Sequence, residues 1–119
     1  MRTREAWGRG AAILASGVLL ASVAASAAYA EDAKALYEKS CVSCHGVSGK
    51  GDGPTGKALK PPPQDFAAAL KGKSDADIAK VIKEGGKAVG KSAMMPAYGS
   101  KLSDDQIQAV TQYVKGLAK

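Results

Sequence analysis

Three side chains that can bind a metal or bond covalently to a cofactor lie within five consecutive residues. They are Cys41, Cys44 and His45, and they include both cysteines and the single histidine of the 119-residue chain. The spacing C-x-x-C-H is the attachment signature of a c-type haem. Each thiol can form a thioether with a haem vinyl group, and the imidazole can bind the iron as its proximal axial ligand. The sequence therefore predicts one covalently bound haem c.

Other uses of these residues agree less well with the sequence. A redox-active dithiol belongs near a βαβ pattern, and no strand pattern is present. A structural zinc site needs four ligands, whereas this chain offers three Cys or His residues, two of them adjacent. A disulfide between Cys41 and Cys44 would close a loop too small to stabilise the fold much. Haem attachment remains the favoured interpretation.

The candidates for the sixth iron ligand are Met94 and Met95, the only methionines besides Met1. Ligation by two histidines of this chain is excluded, because His45 has no second histidine to pair with. A methionine thioether is an established partner of histidine in haem proteins and raises the reduction potential. Both methionines lie in a loop flanked by glycines and a proline, where filling of a core is less expected. Spacing alone does not choose between them.

Residues 1–30 have the features of a secretory signal peptide. A basic start with Arg2, Arg4 and Arg9 precedes an apolar stretch, and Ala28-Tyr29-Ala30 is an A-x-A cleavage pattern. We expect cleavage to leave a domain of residues 31–119 in the periplasm, free of the membrane. An uncleaved membrane anchor is the alternative, because the apolar stretch is long enough to span a bilayer. Its many Ala, Ser and Gly residues favour cleavage.

The domain that follows is basic but contains no arginine. Residues 31–119 hold 14 Lys against 10 Asp and Glu, a net charge of +4. The absence of arginine argues against nucleic-acid recognition, in which bidentate arginine contacts are common. The lysines fit either a solvated surface or a docking face for an acidic partner. Loop position alone suggests the following docking candidates: Lys50, Lys57, Lys87, Lys91 and Lys101.

The pattern of apolar residues and caps predicts an all-α domain with three main helices. The first begins near Asp32, runs to the cysteines and ends at Gly46 in a left-handed conformation. The second and third begin at the capping boxes Ser74–Asp77 and Ser103–Gln106. Their apolar stripes are Ile78, Val81 and Ile82, and then Ile107, Val110, Val114 and Leu117. Short helical turns are expected at 57–60 and at 65–70, the latter capped by Asp65.

Four sequence segments carry a resemblance to a known family. They are Leu36-Tyr37 before Cys41-Val42-Ser43-Cys44-His45-Gly46; Gly51-Asp52-Gly53-Pro54 with Lys60-Pro61-Pro62-Pro63-Gln64-Asp65-Phe66; Met95-Pro96-Ala97-Tyr98; and Leu102 to Ile107 with Tyr113-Val114. Over residues 31–119 the chain resembles small monohaem class I cytochromes c of the bacterial periplasm. The resemblance implies a cytochrome c-like fold, with three main helices and short turns wrapped around one covalently attached haem.

The resemblance also implies roles for individual residues. The methionine directly before the proline, Met95, would be the distal ligand, with Met94 as the alternate. Ala33 and Tyr113 would meet where the first and last helices cross. A proline carbonyl, from Pro54 or from one of residues 61–63, would accept a hydrogen bond from His45 and orient its ring.

The function implied is one-electron transfer rather than catalysis. A monomeric shuttle would carry electrons between respiratory partners such as an oxidase, reductase or dehydrogenase. One alternative is a haem-bearing subunit of a larger dehydrogenase or oxidase complex. Another is a sensor or peroxidase in which the methionine dissociates and the iron binds a gas or peroxide. With both axial positions occupied, the iron has no vacant site for a substrate.

Overall fold

The computed structural model describes residues 30–119, and within that range all regular structure is helical. In chain order the helices are α1 (30–40), α2 (Val42–His45), α3 (Pro54–Ala58), α4 (Phe66–Ala69), α5 (Asp75–Glu84) and α6 (Asp104–Leu117), with a 3₁₀ turn at Lys87–Val89. The prediction of an all-α fold with three main helices, α1, α5 and α6, is confirmed. Residues 1–29, which hold nearly all of the predicted signal peptide, lie outside the described range.

The two long C-terminal helices begin where their capping boxes predict. In α5 the Ser74 hydroxyl accepts from the Asp77 amide at 3.1 Å, and the Asp77 carboxylate accepts from the Ser74 amide at 3.2 Å. In α6 the pair Ser103 and Gln106 forms the same two bonds at 3.1 and 2.8 Å. Each box satisfies two amides that a helix start leaves without a partner. Gly85 ends α5 with a φ of 83°.

The short turns of the middle segment agree in part with the prediction. Helix α4 is capped by Asp65, whose side chain accepts from the Ala67 amide at 2.9 Å. Helix α3 occupies Pro54–Ala58 instead of 57–60. Pro54 suits the first helical turn because its φ is already helical and its missing N–H would have had no partner there. Lys60 precedes Pro61, which disfavours helical backbone at that residue.

The core lies between α1, α4, α5 and α6. Its buried members are Tyr37, Phe66, Ile78, Ile82, Ile107, Val110 and Val114. The fully buried Tyr37 ring joins three elements, because it contacts Phe66 at 6.4 Å and Tyr113 at 5.2 Å between ring centroids. Ala33, the small residue expected at the crossing of the first and last helices, is only 2% exposed.

Ion pairs at both ends fix α5 and α6 antiparallel. Asp75 at the start of α5 accepts from Lys115 and Gln112 near the end of α6, and Lys83 near the end of α5 contacts Asp104 at 2.8 Å. The hydrogen bond from Lys115 holds the pKa of Asp75 below its usual value, and Asp104 raises the pKa of Lys83. The Lys83–Asp104 pair is exposed and the Asp75–Lys115 pair is only partly buried, so each adds little stability. No helix within residues 30–119 is long and apolar enough to cross a bilayer.

Candidate functional site

A cavity of about 720 Å³ collects the residues that the sequence singled out. Its lining includes Cys41, Cys44 and His45 from the N-terminal half, together with Met94 and Met95 from the loop after α5. The volume is within the range of cofactor and ligand pockets. Five large apolar side chains on this lining are only partly buried: Leu36, Leu59, Leu70, Val81 and Leu102. Their apolar surface is therefore offered to a ligand.

A single helical turn positions the two thiols and the imidazole. The His45 amide donates to the Cys41 carbonyl at 2.9 Å, and the Gly46 amide donates to Val42 at the same distance. Both cysteines are free thiols and partly buried. Burial raises the pKa of Cys41 to about 11, so this residue is a neutral thiol at physiological pH. Both thiols line the cavity, as thioether formation with a cofactor there would require.

Helix α3 and the residue before it pack against the backbone carbonyls of this turn. A Cβ atom added to Gly53 would clash with the carbonyls of Val42 and Ser43, and one added to Gly56 would clash with the carbonyl of Cys44. The Ser43 and Thr55 hydroxyls add a hydrogen bond of 3.1 Å between the two helices. Glycine at both positions lets α3 pack directly against the main chain of α2.

Gly46 ends α2 in a conformation different from the one expected. Its φ of 80° is positive as predicted, but its ψ of 163° is extended, so the residue is not left-handed helical. The Tyr37 hydroxyl donates to the Gly46 carbonyl at 2.6 Å. This bond links the residue that follows α2 to the side of α1.

The His45 ring is partly buried and stacks on a neighbouring aromatic ring. It lies on the Phe66 ring at 4.9 Å with an interplanar angle of 30°. Burial lowers the pKa of His45, which favours the neutral imidazole that binds metals. Its Nδ1 atom is buried and has no hydrogen-bond partner within residues 30–119. This differs from the expectation that a carbonyl of Pro54 or of residues 61–63 accepts a hydrogen bond from His45. The contact recorded for the ring is the one with Phe66.

The loop that precedes α6 and contains Met94 and Met95, here called the methionine loop, is bound to the C-terminal end of α5. The Gly86 amide donates to the Met95 carbonyl at 2.9 Å. The Tyr98 and Gly99 amides donate to the carbonyls of Ile82 and Lys83 at 2.9 and 3.0 Å. These bonds satisfy helix-end carbonyls that would otherwise lack partners. The loop backbone is thereby fixed on both sides of Met95, which is partly buried, whereas Met94 is 63% exposed.

The lysines beside the cavity differ from most of those chosen by loop position. The lining includes Lys73, Lys80 and Lys91, and of these only Lys91 was a candidate from the sequence. Lys50, Lys57, Lys87 and Lys101 are not part of the lining. Sequence reasoning also missed Phe66 as the partner of His45. Nothing in the local sequence marks these residues, because the packing of α4 and α5 decides which side chains reach the cavity.

The residues present fit a covalently attached haem. Two free thiols and a partly buried imidazole share an apolar cavity with a thioether, and the buried Nδ1 atom of the imidazole has no hydrogen-bond partner within residues 30–119. A buried polar atom without a partner is uncommon in proteins and often marks a ligand site. The thiols provide the covalent attachment, and the imidazole and thioether are ligand types that haem iron accepts.

Comparison with known proteins agrees with this arrangement. Residues 30–118 match the family model described as Cytochrome c. Cytochrome c-551 of Pseudomonas aeruginosa is 35% identical over 105 residues, which cover 86% of this chain and 88% of that protein. A solved structure, the KustC0563 c-type cytochrome, is similar with a TM-score of 0.60 and 31% identity, over 74% of this chain and 99% of the other.

A larger protein contains a similar segment. The CcoP subunit of a cbb3-type cytochrome c oxidase from Azospirillum brasilense is 31% identical over 91 residues. The match covers 76% of this chain but only 29% of that subunit.

Proposed function

This chain belongs to the cytochrome c family, and we propose that it carries single electrons on one haem c held by Cys41 and Cys44 and ligated by His45 and Met95. Electron carriage and the covalent haem follow from the family. The observation that supports the ligand set is the common cavity, because it brings Met95 to the same lining as a motif fifty residues earlier. When bound, the haem supplies an iron that alternates between its ferrous and ferric states.

The protein's own residues have distinct tasks in this proposal. Cys41 and Cys44 anchor the macrocycle, and the rigid turn of α2 sets His45 beside it. Burial keeps His45 neutral, so its ring can serve as an axial ligand. Apolar side chains of α1, α5 and α6 exclude water from the cavity, and exclusion of water is one of the means by which proteins set a haem potential. The thioether of Met95 favours the ferrous state and raises the potential.

Met95 is the better candidate for the distal position. It is partly buried, its carbonyl is held by the Gly86 amide, and it directly precedes Pro96. Met94 also lies on the cavity lining, but its side chain is largely exposed. A thioether that faces solvent would give up more of its freedom on binding. We therefore assign Met95 as the ligand and Met94 as a neighbour at the rim.

Occupation of both axial positions implies a carrier and not an enzyme. The N-terminal pattern of residues 1–30 supports export to the periplasm, with cleavage leaving 31–119 as a monomeric domain clear of the membrane. The test is to express the chain in a bacterium that matures c-type cytochromes. We expect mass spectrometry to find one added haem on a product that begins at Glu31, and potentiometry to find a one-electron wave.

The reduced protein should also fail to bind carbon monoxide, because no axial position is free. A product without haem would contradict the whole proposal, because every assigned role depends on the bound haem. Ready formation of a carbon monoxide complex would favour the alternative of a gas-binding sensor.

The rim of the cavity supports docking to an acidic redox partner. Exposed lysines and exposed apolar residues both contribute to the lining: Lys73, Lys80 and Lys91, with Pro61, Pro62 and Met94. Cations around an apolar centre steer an anionic partner towards the site and raise the association rate, more so at low salt. Asp77 is the acidic side chain on this lining, and the backbone of Ser74 binds it.

Reduction of the ferric protein by hexacyanoferrate(II), an anionic probe, tests the docking surface. In stopped-flow measurements at low salt, Lys73→Gln/Lys91→Gln should slow the reaction several-fold, and the difference should vanish at high ionic strength. Lys50→Gln/Lys57→Gln removes the same charge from exposed positions outside the cavity lining and should change the rate less. Equal effects of the two double variants would contradict docking at the rim.

A second candidate function is that of an electron-transfer subunit in a larger complex. The similarity to the CcoP subunit of an oxidase is the observation that favours it. Stable copurification of the native protein with a second polypeptide would support the subunit, whereas a lone monomer in size-exclusion chromatography would support the shuttle.

A further inference from the structure

One side-chain hydrogen bond links the methionine loop to the segment that carries the cysteines. The Tyr98 hydroxyl donates to the Ser40 carbonyl at 2.9 Å, across 58 residues of sequence. Ser40 immediately precedes Cys41, and Tyr98 lies three residues after Met95. Both Ser40 and Tyr98 line the cavity. Within residues 30–119 no other hydrogen bond joins these two segments.

The bond satisfies a carbonyl that α1 itself leaves open. Ser40 is the last residue of α1, and the last carbonyls of a helix have no amide partner within it. The amide that could have reached Ser40, that of Cys44, donates to the Cys41 carbonyl instead, at 3.2 Å. The Tyr98 hydroxyl takes this place in a partly buried setting. Loss of the hydroxyl would leave the carbonyl with at best a water partner at the cavity edge.

Other contacts hold Tyr98 in place, so that its hydrogen bond to Ser40 can restrain the loop. Its amide donates to the Ile82 carbonyl, and its carbonyl accepts from the amides of Lys101 and Leu102 at 3.0 and 2.9 Å. The Lys101 ammonium lies 5.6 Å from the centre of the Tyr98 ring, a cation–π contact. The residue is therefore anchored to α5 through its backbone and to α1 through its hydroxyl.

We propose that Tyr98 is a positioning residue for the distal ligand, because its hydroxyl ties the Met95 loop to the end of α1 that carries the cysteine motif. This inference rests on the proposed ligation by Met95. The backbone hydrogen bonds attach the loop to α5. The Tyr98–Ser40 bond attaches it to the end of α1 as well and so opposes its separation from α1. The bond thus favours the state in which the Met95 thioether reaches the iron.

The test is the rate at which imidazole replaces the distal ligand of the ferric holoprotein. In Tyr98→Phe the ring and its packing remain and only the hydroxyl is lost. We expect replacement to be roughly three- to tenfold faster than in the wild type, the size of effect given by one net hydrogen bond. Tyr113→Phe is the matched control, because it also removes a phenolic hydroxyl but from a ring that does not line the cavity. Its rate should be that of the wild type.

A second measurement separates positioning from general loosening. Hydrogen exchange of the Tyr98 and Gly99 amides should be faster in Tyr98→Phe, whereas amides in the middle of α6 should be unchanged. An unchanged imidazole rate in Tyr98→Phe, or an equal rise in Tyr113→Phe, would overturn the inference. If Met95→Ala exchanges ligand at the wild-type rate and keeps the wild-type ferric spectrum, the ligand assignment itself has failed, and the role of Tyr98 falls with it for that separate reason.

Discussion

At the scale of single residues, the chemistry of this protein depends on a few side chains whose surroundings differ sharply. His45 is partly buried against Phe66, and burial lowers its pKa so that the neutral imidazole is favoured. Met94 and Met95 are adjacent in sequence, yet one is largely exposed and the other is partly buried. The difference in exposure separates two residues of identical chemistry.

Replacement of the two methionines one at a time should show which one binds the iron. Met95→Ala should abolish the weak long-wavelength band of the ferric methionine-ligated haem and lower the reduction potential, because the thioether stabilises the ferrous state. Met94→Ala should keep the band and change the potential little. Optical spectroscopy with potentiometry measures both. The opposite assignment of the two effects would make Met94 the ligand.

At the scale of the elements, close packing of short helices determines how the haem-binding motif is held. Helix α3 contacts the carbonyls of α2 through Gly53 and Gly56, where no side chain fits. Helices α5 and α6 are joined at both ends by Asp75 with Lys115 and by Lys83 with Asp104. The methionine loop closes on the last turn of α5. The site is therefore built by contacts between neighbouring elements rather than by any one helix.

Gly56→Ala should destabilise the holoprotein by about 1–3 kcal/mol, because the added methyl group would overlap the Cys44 carbonyl and force α3 away from α2. Guanidinium denaturation followed by Soret absorption measures the free energy of unfolding. Gly116→Ala in α6 is the control, since its Cβ would meet no atom within 4 Å. It should leave stability unchanged or slightly higher. A Gly56→Ala variant as stable as the wild type would show that α3 can shift without penalty.

The Asp75 link should contribute to acid sensitivity. Folding lowers the pKa of Asp75 because Lys115 and Gln112 bind its carboxylate. Its stabilising contribution is therefore complete above the unfolded pKa of about 3.9 and is lost as the pH falls through the lower folded value. Asp75→Asn should be less stable than the wild type at pH 7, and the gap should narrow below about pH 4. Thermal melts of both proteins between pH 7 and pH 3 measure this difference in stability, with Asp105→Asn as the control. A gap that widens on acidification would contradict this assignment.

At the scale of the whole molecule, a small apolar core forms part of the wall of a large cavity. The core within residues 30–119 has seven buried members, and all of them except Ile107 also line the cavity of about 720 Å³, together with partly buried apolar side chains such as Leu36, Val81 and Leu102. A domain of this length forms a marginal core by itself. The haem would bury the apolar lining and join segments from both halves of the chain, so that cofactor binding and folding are expected to be linked.

The chain without haem should therefore be largely unfolded. Cys41→Ala/Cys44→Ala, purified free of haem, should lose most of the far-ultraviolet helical signal of the wild-type holoprotein and show no cooperative melt. The reason is that the lining of the cavity would be left exposed to water. Circular dichroism of the two proteins at equal concentration makes the comparison. A native-like spectrum with a cooperative melt would show that the small core is sufficient.

The sequence alone determined the features that depend on short stretches of chain. The motif from Cys41 to His45 needs one helical turn, and the caps at Ser74 and Ser103 need four residues each, so local geometry is enough to predict them. The stripes of α5 and α6 follow from helical periodicity in the same way. The predictions of the position of α3 and of the backbone conformation at Gly46 were wrong in detail. Pro54 favours an earlier helix start and Pro61 disfavours helix at Lys60, and the Gly46 carbonyl is bound by the Tyr37 hydroxyl of another helix.

Only the tertiary structure decided which distant residues meet. The stacking of Phe66 on His45 and the hydrogen bond from Tyr98 to Ser40 each join segments that are separated in sequence. The packing of such segments also leaves Met95 partly buried beside an exposed Met94. The identity of the cavity-lining lysines depends in the same way on how α4 and α5 pack. Such contacts form when separate elements bury their apolar surfaces together, and no local spacing rule contains that information.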